Sequence, residues 1–68
     1  MEHKQYIIED IPYIEAEEII DGNLGTKVEW LENFGGDRNR VSVRYTNLEC
    51  LYSALQTLYD NGASYEEI

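Results

Sequence analysis

The sequence predicts an α+β fold of order β-α-β-β-α. Its parts are a small, mainly antiparallel sheet of three strands, a C-terminal helix packed on one face, and a short N-terminal helix. Three observations point to it. Residues 26–34 and 41–45 alternate apolar and polar side chains with period two. The polar loop Gly35-Gly-Asp-Arg-Asn-Arg40 joins them, and its Gly and Asn tolerate the positive φ that a turn needs. Leu48, Leu51, Tyr52, Leu55, Leu58 and Tyr59 then recur at helical spacing directly after the second of these strands. With no linker between them, that helix must fold back across the apolar face of its own hairpin.

Taken in order, Met1 to Lys4 reads as a frayed end containing His3. Gln5 to Ile11 reads as a strand, with Tyr6 and Ile8 on one face and Ile7 and Ile11 on the other. Pro12 donates no backbone hydrogen bond and ends it. Tyr13 to Ile20 alternates poorly as a strand. As a helix it gathers Tyr13, Ala16, Ile19 and Ile20 on one side, and Glu15, Glu17, Glu18 and Asp21 on the other. Asp10 is a candidate cap, and Gly22-Asn23 a stop. In the hairpin, Val28, Trp30 and Phe34 oppose Lys27, Glu29 and Asn33, while Leu31 and Glu32 fall out of the pattern. Val41, Val43 and Tyr45 form the apolar side of the next strand. Thr46-Asn-Leu-Glu49 fits a capping box, and Asn61-Gly62 places Gly where a helix C-terminus wants it. Residues 63–68 read as a second frayed end, so the chain is expected to be one small domain over 1–68.

Sixty-eight residues lie near the lower limit for a self-sufficient core and leave little room for a deep cleft. The single cysteine, Cys50, rules out an internal disulfide and a cysteine-based zinc site within the chain. With no long apolar run, the expectation is a soluble protein of a reducing, cytoplasmic compartment. The net charge of −9 disfavours direct contact with nucleic acid or an anionic membrane. Its distribution is uneven. Residues 1–25 hold seven acids against Lys4, whereas residues 26–45 hold Glu29, Glu32 and Asp37 against Lys27, Arg38, Arg40 and Arg44.

Candidate sites follow from this imbalance. Glu9, Asp10, Glu15, Glu17, Glu18 and Asp21 are the candidate partner-binding residues. On a helix rising ~1.5 Å per residue, the last four approach the charge spacing of duplex DNA, ~1.7 Å per charge. Such a face would fit the basic groove of a nucleic-acid-acting protein; its bland reading is a solvated helix face. Arg38, Arg40 and Arg44 would suit a phosphate or carboxylate, but in so acidic a chain they are expected to pair with neighbouring acids. The small residues Cys50, Ala54 and Thr57 flank the second helix and would either seat a second copy, as a homodimer, or pack beneath the first helix. Asp21-Gly-Asn23…Glu32 matches a calcium loop at its ends only, with Thr26 where the sharp turn needs Gly, and is set aside. Tyr65-Glu-Glu-Ile68 resembles the phosphotyrosine motif preferred by Src-type SH2 domains.

No catalytic constellation stands out: there is no Ser/His/Asp set, no Gly-rich phosphate loop, and no His-rich cluster calling for a metal or cofactor. The expectation is a non-enzymatic acidic module that binds a basic, nucleic-acid-acting protein as an inhibitor or nucleic-acid mimic. In size and composition it is similar to phage anti-defence proteins, antitoxins and immunity proteins. The alternative expectation is a self-associating structural or accessory subunit.

Overall fold

The computed structural model describes residues 2–68. Six elements follow one another: β1 (Glu2–Glu9), α1 (Tyr13–Gly22), β2 (Thr26–Asn33), β3 (Asn39–Tyr45), α2 (Leu48–Asp60) and β4 (Ser64–Glu67). The fold is α+β, as the sequence predicts, but the sheet has four strands and all its pairings are antiparallel. Their spatial order, β2-β3-β1-β4, is the split β-α-β arrangement, in which β3 inserts between the strands that α1 connects.

Strand pairing corrects both expected frayed ends, apart from Met1, which lies outside the described residues. Glu2, His3 and Lys4 belong to β1, opposite Tyr45, Arg44 and Val43. The last residues form β4 along the other side of β1, with Tyr65 opposite Ile8 and Glu67 opposite Tyr6. The end of α2 explains how they arrive there. Gly62, at φ +91°, donates its N–H to Tyr59 O, and Ala63 donates to Leu58 O. This pair of bonds closes the helix and reverses the chain. Ala63 is buried beneath the turn, so the residues beyond it return along the free side of β1.

One face of the sheet carries the core. Tyr6 and Ile8 of β1 and Val41, Val43 and Tyr45 of β3 are buried there with Ile11, Ala16, Ile20, Leu51, Leu55, Leu58 and Ala63. Ile7 stays half-buried on the opposite face, as the period-two reading requires. Ile11 does not share that face: Asp10 adopts φ +68° and turns the chain, so Ile11 drops into the core. Aspartate tolerates this left-handed region better than most residues.

A bulge accounts for the broken pattern in β2. Trp30 opposes Val41 and Glu32 opposes Arg40, so Leu31 is the extra residue. Beyond it the side chains change faces: Glu32 meets Arg40 across the outer face at 3.3 Å. Phe34 lies just past the end of β2 and is exposed, with the Arg38 guanidinium 4.9 Å above its ring. The capping box is also corrected. Asn47 is the N-cap of α2 and accepts from Cys50 N–H, while Thr46 turns its hydroxyl toward Gly25 O and Cys50 Sγ. Gly25, at φ +83°, leaves no room for a side chain, since a Cβ there would lie 2.5 Å from Thr46 Oγ1.

Candidate partner-binding surface

α1 forms because Tyr13, Ala16, Ile19 and Ile20 recur on one side, and that side packs against β2 and α2. Ala16 and Ile20 are buried outright. Asp10 does not cap the helix; Pro12 holds the N-cap position without a side-chain bond. At the other end Asn23 closes the helix, its side chain donating to Ile19 O at 2.7 Å, and Thr26 Oγ1 donates to Ile20 O at 2.6 Å.

The six candidate acids separate into groups. Glu9 accepts from Arg38 Nε at 3.2 Å and is the one member neutralised by an ion pair. Asp10 takes the Ser64 hydroxyl at 3.1 Å and so ties the start of β4 to the end of β1. Glu17 is half-buried and accepts from Tyr13 OH at 3.2 Å. The same Tyr13 packs edge-on against Trp30, with centroids 3.7 Å apart. Burial, reinforced by Glu17, raises the Tyr13 phenol above its usual range. Asp21 accepts the backbone N–H of Val28 at 3.0 Å. Glu15 and Glu18 are exposed one turn apart and hold no hydrogen bond or ion pair among the described residues.

The cations lie elsewhere. Three of the five are paired: Lys4 with Glu67, Arg38 with Glu9 and Arg40 with Glu32. Lys27 and Arg44 stand directly opposite each other on the sheet face that no helix covers, and neither is in an ion pair among the described residues. No lysine or arginine forms an ion pair with a carboxylate of α1 among the described residues. No protein-family model matches this chain, and no similar curated protein or solved structure is found.

The proposed self-association flank divides. Ala54 is 0% exposed and lies inside the chain's own core, where it cannot touch a second copy. Cys50 is half-buried against Gly25 and Thr46, and Thr57, also half-buried, turns its hydroxyl back to Ser53 O. The exposed face of α2 is instead aromatic, with Tyr52 and Tyr59 largely solvent-facing. Both belong to the apolar stripe read from the sequence, and that stripe is wider than the one the core uses: Leu51, Ala54, Leu55 and Leu58 fill the core. Beside β4, Tyr59, Ser64 and Tyr65 line an open groove of about 420 Å³. Sequence reasoning missed this groove. Its one available signal was a tyrosine left over at the edge of the helix stripe and another in the tail.

Proposed function

We propose that this protein is a non-catalytic acidic module that occupies the basic, nucleic-acid-binding surface of a partner protein as an inhibitor or decoy. Phage anti-defence, antitoxin and immunity proteins act in this general way. The observation that carries the reading is the electrostatic isolation of α1. Glu15, Glu17, Glu18 and Asp21 project from ten residues with no lysine or arginine among them, and the nearby ion pairs engage other acids. Like charges held this close on one helix oppose each other, and Glu15 and Glu18 have no hydrogen bond or ion pair among the described residues to offset that repulsion. A basic groove would relieve that repulsion, and the encounter would be steered by charge. The rigid attachment of α1 through Ala16 and Ile20 presents the carboxylates on a backbone already ordered, so the ordering cost of binding is confined to side chains.

Salt and isosteric substitution test the proposal. Raising ionic strength from roughly 0.05 to 0.5 M should dissociate the complex with such a partner, because the contacts lie at the surface. The triple variant Glu15→Gln, Glu17→Gln, Glu18→Gln should bind at least about tenfold more weakly, with a circular dichroism melt no lower than that of the wild type. A complex insensitive to salt, or a triple variant that displaces nucleic acid from the partner as well as the wild type does, would end the proposal.

A further inference from the structure

The two outer strands of the sheet differ in what covers their free backbone groups. Ile68 N–H donates to Gln5 O, which fixes the alternation along the β1–β4 ladder. Ser64, Glu66 and Ile68 turn their N–H and C=O groups inward to β1. Tyr65 and Glu67 turn theirs outward, away from the sheet. On the opposite edge the same alternation directs Val28 outward, and there Asp21 takes its N–H while α1 lies alongside. No such cover reaches β4 among the described residues. β4 holds neither a bulge nor a proline; its shortness and its two glutamates disfavour pairing with another acidic edge while leaving a basic strand free to add.

Chemistry beside this edge selects its occupant. Tyr65 and Glu67 point to the helix side, where Tyr65 packs edge-on with Tyr6 (centroids 6.0 Å apart) and borders the groove shared with Tyr59 and Ser64. Glu66 projects to the other face, Asp10 bonds Ser64 at the start of the strand, and Asp60 ends the helix just before it; none of the three is in an ion pair among the described residues. We propose that the outer edge of β4 is a strand-addition site for an extended, basic segment of a partner protein, paired through the backbone of Tyr65 and Glu67. Its alternate side chains lie over the Tyr59–Tyr65 groove, where an aliphatic stem or a cation meets aromatic faces, and beside Glu66. A second copy of this chain is the poorer occupant, since it would bring a further net charge of −9 to the same edge. The proposal deepens the reading of a basic partner, and it uses a surface separate from Glu15 and Glu18.

A short labelled peptide alternating valine and lysine is the probe, with a proline-interrupted peptide of equal charge as control. The first should bind and the control should not. Amide exchange at Tyr65 and Glu67 should slow on binding, while that at Glu66, already bonded to β1, should not change. Glu67→Pro removes an N–H that the fold does not use and should weaken the peptide roughly tenfold, as loss of about one backbone hydrogen bond implies. Glu67→Gln should retain most of the binding and separates the amide from the charge. The Glu15→Gln, Glu18→Gln variant should bind the peptide as the wild type does, so failure here is distinguishable from failure of the α1 reading. Equal binding of both peptides, full binding to a folded Glu67→Pro, or protection of Tyr65 and Glu67 by self-association without peptide would each overturn the assignment.

Discussion

At the β2 edge of the sheet, a helix, a bulge and a carboxylate close off the backbone. α1 packs alongside, Leu31 interrupts the ladder, and Asp21 satisfies the outward N–H of Val28. At the β4 edge the strand is short, regular and bordered by tyrosines and acids, and among the described residues no side chain takes its outward N–H groups. The difference teaches that acidic residues of one composition do different work in different places. Asp21, grouped with the α1 acids by sequence, closes an edge. Glu15 and Glu18 hold neither a hydrogen bond nor an ion pair among the described residues.

The largest expected effect breaks this comparison at its closed side. Ile20 is 0% exposed and anchors α1 to the sheet, so Ile20→Ala should cost about 2–5 kcal/mol in urea unfolding. In the surviving folded fraction, exchange at the Val28 amide should rise toward that of Tyr65 and Glu67.

A second test works on the β4 side. Burial, with help from the Glu67 carboxylate, pushes the Tyr6 phenol up to about 12. The hydrogen bond to Glu67, and its charge, raise the Lys4 ammonium above its usual range. Both groups titrate higher in the folded chain than in the unfolded one, so their stabilisation is complete below about pH 10 and is lost as pH rises through the folded values. Tyr13, raised in the same direction, adds to the loss. Unfolding midpoints should therefore fall between about pH 10 and 12, and Tyr6→Phe should flatten the fall. An unchanged alkaline profile in Tyr6→Phe would place the cause elsewhere.

The smallest effect sharpens the comparison without threatening the fold. Asp21→Ala removes one exposed hydrogen bond and should cost about 0.5–1.5 kcal/mol. Its signature is local: faster exchange at Val28, with Glu66 and Ile68 unaffected. A uniform acceleration across the sheet would instead make Asp21 a general stabiliser.

Much of this fold was legible in the residues. The period-two runs of β2 and β3, the stripe of α2 and the Gly62 stop all describe local geometry, and each is present. α1 was readable as the better of two patterns, since its apolar residues gather on one side of a helix and alternate poorly as a strand. The four residues of β4 were not. Ser64-Tyr-Glu-Glu67 has no core-filling side chain, and all four remain exposed. It is a strand because β1 offers an unpaired side and the Gly62–Ala63 turn delivers the chain to it. Phe34 misled in the opposite sense: period two grouped it with Val28 and Trp30, but the bulge at Leu31 changes which face later residues occupy, and Phe34 is exposed.

The candidate site divides along the same line. Net charge, its concentration before residue 25 and the separation of cations from α1 are properties of the linear chain. Which carboxylates stay free is a tertiary matter. Asp10, Glu17 and Asp21 find Ser64, Tyr13 and Val28 at separations of 54, 4 and 7 residues, and only the folded chain brings the most distant of these together. The open edge of β4 likewise exists only after the sheet has formed. An unpaired N–H is a property of a strand's neighbours, and a sequence names residues without naming what lies beside them.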